Sequence, residues 1–231
     1  MSFNISKNTV LHIGLHNKKY AYFLNRQRIS SSDTVKDLGI IVDSKLKFHD
    51  QSASAAKKAI ATANYIFKSF SFLNSHLFSI LYKVFVRPNL EYCIQAWRPY
   101  LKRSMDLLER TQRKITKWCP GLSHLPYETR LQILNIPSLY HRFDRGDLIE
   151  TFKFLKGHYN ISPNYFFTVA NDHRTRGHSF KLVYNKFRTD TRKYFFSNRV
   201  AQPWNSLPQF LISSSSTNQW KVRYNSLYPN G

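Results

Sequence analysis

Ser104-Met-Asp-Leu-Leu-Glu-Arg-Thr-Gln-Arg-Lys-Ile-Thr-Lys-Trp118 sets the character of the chain. At about 100° per residue, Leu107, Leu108, Ile115 and Trp118 gather on one side, and Arg110, Arg113, Lys114 and Lys117 gather on another. This is an amphipathic helix with an apolar seam for a core and a cationic ridge for solvent or a polyanion. Ser104 suits its N-cap, and Pro120-Gly121 stops it. Upstream, Gln51 to Leu73 repeats Ala56, Ala59, Ala63, Ile66 and Phe70 at helical spacing. Ser75 can cap a second helix through Val86, and Pro88 suits the first turn of a third that ends before Pro99. Four helices with short connections predict a bundle.

On either side the pattern changes. Before Phe48 it is strand-like: Thr9–Ile13 ending at Gly14, Tyr20–Leu24, and Lys36–Val42, the last rich in β-branched residues. Strands this few cannot bury both faces, so they read as the edge of a larger sheet. After Pro120, two further helices are predicted over 126–135 and 138–156. A loop with short elements follows over 161–179, then helical segments near 193–204 and from the Ser213–Ser216 break to Leu227. The predicted fold class is α+β and predominantly helical. Three units are expected: strands over 1–48, a helical bundle over 49–120, and a helical and looped region over 121–231.

Composition narrows the function. The 231 residues are 42% hydrophobic and 16% aromatic, enough to exclude global disorder. Lys and Arg number 35 against 13 acids, a net charge of +22 and a pI near 10.1. Such a surplus favours a polyanionic partner, with nucleic acid first among them. Cys93 and Cys119 offer no disulfide framework, and no apolar run reaches the roughly 20 residues of a membrane span. Met1-Ser-Phe-Asn-Ile-Ser-Lys lacks a signal-peptide core, so an intracellular location is expected, in cytoplasm or nucleus, with no membrane and no small-molecule ligand as partners.

Candidate contacts follow the charge. Arg110, Arg113, Lys114 and Lys117 would meet phosphates spaced along a strand, although a solvated helix face is the plainer reading of any charged stripe. Lys57 and Lys58 lie among small residues that permit close approach. Arg174 and Arg176, in a polar loop, are further phosphate candidates. Tyr184, Phe187, Tyr194, Phe195 and Phe196 interleave with Lys181, Lys186, Arg188, Arg192 and Lys193; they could stack on bases, with core packing expected for at least half of the rings. Arg142, Asp144, Arg145 and Asp147 read as structural ion pairs. His173 and His178 without neighbouring cysteines make a weak metal signal. Catalysis has no foothold: Asp33, Asp37, Asp43 and Asp50 are scattered, and no phosphate-cradling Gly loop, nucleophile elbow or HExxH occurs.

Several short blocks resemble, in order, the reverse transcriptases of non-LTR, jockey-like retrotransposons. They are Phe3-Asn4 through His12-Ile-Gly14, Lys36-Asp-Leu-Gly-Ile-Ile-Val-Asp43, Val84-Phe-Val-Arg-Pro-Asn-Leu-Glu-Tyr-Cys-Ile-Gln-Ala-Trp97 and Leu108-Glu-Arg-Thr-Gln-Arg-Lys114. Tyr127-Glu-Thr-Arg-Leu131, Arg145-Gly-Asp-Leu-Ile149, Arg176-Gly-His178, Phe196-Ser-Asn-Arg-Val200 and Trp204-Asn-Ser-Leu-Pro208 continue the series. The resemblance implies a remnant of the polymerase palm, the thumb that grips template and primer, and the C-terminal region. The Tyr-x-Asp-Asp block of these RNA-directed DNA polymerases would precede Phe3 and is absent from this sequence. The expectation is therefore a nucleic-acid-binding fragment, not an enzyme on its own, with no cofactor. Mg2+ is expected only for the full-length family enzyme. Two readings stay open beside it: a relic of a decayed element, and polymerase activity with the palm supplied in trans.

Overall fold

The computed structural model describes residues 7–14, 16–170 and 177–229. The fold is α+β and predominantly helical. Its N-terminal part contains three two-stranded sheets. β1 (Thr9–Leu11) pairs in parallel with β4 (Ser30–Ser32), β2 (Phe23–Leu24) pairs with β3 (Gln27–Arg28), and β5 (Thr34–Asp37) pairs with β6 (Ile40–Asp43). The reading of Lys36–Val42 as one strand is corrected here. Leu38 and Gly39 both adopt positive φ, at 44° and 86°, and Asp37 faces Ile40. Two consecutive left-handed residues make the tight turn whose twist matches a hairpin. Leu38 is an unusual residue for that position, which hid the turn.

β6 leads into the helical part through Asp43. Its carboxylate accepts from the backbone N–H groups of Lys45, Lys47 and Phe48 at 2.7–3.1 Å, which holds the chain in a tight loop before α1 (His49–Lys68). Gln51 Oε1 then accepts from Ile41 N at 2.9 Å, tying α1 back to the hairpin.

α2 (Ser75–Leu81) is capped by Asn74, whose Oδ1 accepts from Leu77 N at 2.8 Å, and not by Ser75. It continues as a π turn (Tyr82–Val86), marked by Arg87 N donating to Tyr82 O at 2.9 Å. The extra residue keeps Phe78, Leu81, Tyr82, Val86 and Leu90 all directed inward. The predicted third helix is two: α3 (Pro88–Glu91) and α4 (Ile94–Trp97), separated where Cys93 turns left-handed at φ 50°. The Trp97 indole N–H donates to Tyr92 O at 2.6 Å and so satisfies a carbonyl that the break frees.

α5 (Lys102–Thr116) begins two residues before Ser104, which is buried; its hydroxyl shares a hydrogen bond with His49 Nδ1 at 3.2 Å. α6 (Tyr127–Leu134) and α7 (Leu139–Leu155) follow, the latter capped by Ser138. Beyond them come α8 (Asp190–Lys193), α9 (Phe196–Arg199), α10 (Ala201–Asn205), α11 (Gln209–Ile212) and α12 (Thr217–Leu227). The single helical segment predicted near 193–204 is thus broken into short turns.

Two apolar cores result. The first runs from Ile40 to Phe143 and includes Phe67, Phe78, Tyr82, Trp97, Leu108 and Ile115; residues on both sides of position 120 build it. The second includes Leu148, Phe152, Phe196, Trp204, Leu211 and Trp220. α7 contributes its first half to one core and its second half to the other. No helix among the described residues is long and apolar enough to cross a membrane.

Candidate nucleic-acid interface

α5 divides by face. Met105, Leu108, Thr111, Gln112, Ile115 and Thr116 are buried, while Arg110, Arg113, Lys114 and Lys117 are exposed. Leu107 and Trp118 are half-buried at the edge of the seam. Arg103, seven residues before Arg110, is exposed on the same stripe. The sequence reading missed it because it began the helix at Ser104; the seven-residue spacing of Arg103, Arg110 and Lys117 was the signal. At ~1.5 Å per residue, the stripe from Arg103 to Lys117 is ~21 Å long. That matches about six phosphates of one duplex strand, at ~3.4 Å of axis each.

α1 lies beside α5 and runs the same way. His49 meets Ser104 at their starts, and the Phe67 and Trp118 rings meet edge-on, with centroids 6.5 Å apart, at their ends. Lys57 and Lys58, both exposed, sit midway along α1, and Arg110 sits near the middle of α5. α1 buries Ala55, Ala56, Ala59 and Ala63, small side chains that let neighbouring helices approach closely. Arg174, Arg176 and His173 lie outside the described residues, as does Phe3-Asn4.

The ridge is held from behind by a buried polar chain. Tyr82 Oη donates to Gln112 Oε1 at 2.6 Å, and Gln112 Nε2 donates to Tyr127 Oη at 2.9 Å and to Pro137 O at 3.0 Å. Tyr127 in turn donates to Glu109, whose other oxygen accepts from Leu139 N at 2.9 Å. Burial pushes the Tyr82 and Tyr127 hydroxyls well above their ordinary range, and the Glu109 carboxylate adds to the effect at Tyr127. Both phenols stay protonated donors. The Arg113 guanidinium lies over the Tyr127 ring at 4.7 Å, and Arg110 Nε donates to Asp106 O at 3.1 Å. Each guanidinium is thereby steered while other N–H groups stay free for a ligand.

Arg130 is 1% exposed, and no carboxylate among the described residues lies within ion-pair distance of it. It donates to Thr116 Oγ1 at 3.2 Å, Leu125 O at 2.6 Å and Arg113 O at 3.0 Å. A cation among the last carbonyls of α5 complements the negative end of that helix. The partners of Arg130 are one side-chain hydroxyl and two backbone oxygens.

The ion-paired acids lie elsewhere. Glu91 takes both ends of the Arg142 fork at 2.8 and 2.7 Å. Asp147, 3% exposed, accepts from Arg98 at 2.8 Å and from Arg199 at 2.8 and 2.9 Å, and Asp144 accepts from Arg98 at 2.6 Å. Arg142, Asp144 and Asp147 are therefore structural pairs made across helices, whereas Arg145 donates to the Asn225 amide oxygen at 3.0 Å. Among the described residues, no carboxylate lies within ion-pair distance of Arg103, Arg110, Arg113, Lys114 or Lys117.

The C-terminal aromatic run divides. Phe196 is buried and Tyr194 stacks on Tyr100 at 5.0 Å, while Tyr184 and Phe195 stay exposed. His178 is buried; Nε2 donates to Trp204 O at 3.0 Å and Nδ1 accepts from Phe180 N at 3.2 Å, so both ring nitrogens have backbone partners. Burial holds its pKa below the usual histidine value.

No protein-family model matches the chain, and no solved structure matches it. A curated protein of Caenorhabditis elegans, uncharacterized protein B0403.1, is 32% identical over 112 residues, covering 47% of this chain and 56% of that protein. The chain thus spans about half the length of the curated relative it matches.

Proposed function

We propose that this chain grips nucleic acid through the outer face of α5, as the thumb and C-terminal part of a non-LTR retrotransposon reverse transcriptase, without polymerase activity of its own. The observation that carries this reading is the unneutralised ridge. Glu91, Asp144, Asp147 and Glu150 are drawn into ion pairs, while Arg110, Arg113, Lys114 and Lys117 stand exposed, in line and, among the described residues, with no carboxylate within ion-pair distance. The apolar face of the same helix is locked in the core, so the backbone that carries the ridge needs no reordering on binding. Lys57 and Lys58 on the parallel helix widen the footprint.

Such a surface meets phosphate and sugar and reads shape more than sequence. Each phosphate neutralised releases counterions, so binding must weaken steeply with salt. The test is a salt titration against an RNA–DNA hybrid, with duplex DNA and hairpin RNA as competitors. Changing Arg110, Arg113, Lys114 and Lys117 together to Gln keeps helix propensity. It should flatten the log–log salt slope by about 3–4, roughly one per lost contact. An unchanged slope in a folded variant refutes the assignment.

A further inference from the structure

The helix from α2 through the π turn is apolar on two faces. One is buried through Phe78, Leu81, Tyr82 and Val86; the other exposes Ile80, Val84 and Phe85, the last two at 55% and 49%. A helix apolar all round is ordinarily an enclosed one. Beside it the outer face of α1 presents Tyr65, 79% exposed, and Ile66, and the chain after α1 adds Phe70 and Phe72. These elements border an open groove of about 620 Å³ lined by Thr62, Tyr65, Ile66, Phe70, Leu81 and Phe85. Contiguous exposed apolar surface of this kind marks an interaction site.

Charge selects the occupant. From Gln51 to Leu90 the sequence contains no Asp or Glu, but it carries Lys57, Lys58, Lys68, Lys83 and Arg87. Lys58 precedes Thr62 by one turn and Lys68 follows Tyr65 by three residues, so exposed lysines bracket the stripe that lines the groove. A greasy floor between cations fits a helix with apolar residues at i, i+3, i+4 and i+7 and acids along its flanks. A second copy of this chain, at +22, meets like charge at the same rim. Nucleic acid finds few donors on the floor.

We infer that the α1–α2 groove docks an acidic amphipathic helix of a partner protein, at a surface separate from the α5 ridge. The probe is a labelled designed peptide with leucines at helical spacing flanked by glutamates, compared with its Glu→Lys counterpart. The glutamate peptide should bind, and Phe85→Ser or Tyr65→Ser should each weaken it about tenfold. Lys58→Gln with Lys68→Gln should weaken it and reduce its salt dependence. These side chains are exposed, so the variants should melt with the parent protein. The Gln variant of the α5 ridge should bind the peptide normally, which separates failure here from failure of the nucleic-acid reading. Equal binding of both peptides, or indifference to Phe85→Ser, overturns the proposal. So does binding of a single-stranded oligonucleotide to the α5 Gln variant that Phe85→Ser weakens, which assigns the groove to nucleic acid, or a dimer that Phe85→Ser dissolves, which assigns it to a second copy.

Discussion

Arg130 shows how one side chain fixes the end of the candidate interface. Its buried guanidinium serves three oxygens, including Arg113 O at the last turn of α5. Arg130→Met would fill the space and remove all three bonds, with Arg113 O keeping only the Thr116 hydroxyl at 3.1 Å. A loss of about 2–4 kcal/mol is expected, read as a lower urea midpoint, because each unsatisfied buried group costs ~1–3 kcal/mol. His178 makes a pH-dependent prediction. Burial lowers its native pKa below 6.5, and His141 is lowered in the same direction by burial and by Arg145. The unfolded chain therefore binds more protons than the native one as pH falls below ~6.5. Stability should be full above that value and decline as pH falls toward the lowered native values. Urea midpoints measured from about pH 7.5 to 5 should follow this course, and His178→Gln should make the decline shallower.

The elements divide by how much of their geometry is periodic. α5 and α7 were legible because apolar spacing near 3.6 persists over four turns, and Ser138 caps α7 as its position suggests. The hairpin of β5 and β6 was not, since its turn uses Leu38-Gly39 in place of the usual Asn-Gly. The π turn was also hidden, because one added residue shifts the helical phase without changing which residue types appear. The small-residue face of α1 could be read as packing, and its partner α5 came only with the fold. Ala59→Leu forces a branched side chain into the packed face of α1, where Ala59 is 0% exposed. A cost of about 1–3 kcal/mol is expected. In a chain of this size that lowers the melting temperature by roughly 2–4 °C per kcal/mol. The Gln variants of the exposed ridge on α5 should leave it near the parent value.

At the scale of the molecule, the two cores are joined through Asp147. This carboxylate on α7 binds Arg98 at the end of α4 and Arg199 of α9, partners 49 and 52 residues away. Asp147→Ala would strip the largely buried Arg199 of its carboxylate and leave Arg98 with Asp144 alone. A loss of about 3–5 kcal/mol is expected from the broken network. The far-UV and tryptophan unfolding curves should also lose coincidence as the cores uncouple, since Trp97 lies in one core and Trp204 and Trp220 in the other.

Composition and local pattern were sufficient for the helical character, the basic surplus and the cationic face of α5, because each depends on residues adjacent in sequence or one turn apart. They could not say which charges remain free. That depends on which Arg meets which acid across the fold, and only tertiary packing brings Arg98, Arg142 and Arg199 to Glu91, Asp144 and Asp147 while leaving the α5 ridge unmatched. The same holds for the exposed aromatics of the α1–α2 groove. Apolar content argues for burial, but which apolar face finds a partner is a property of the assembled helices, and here one of the two faces found none within the described chain.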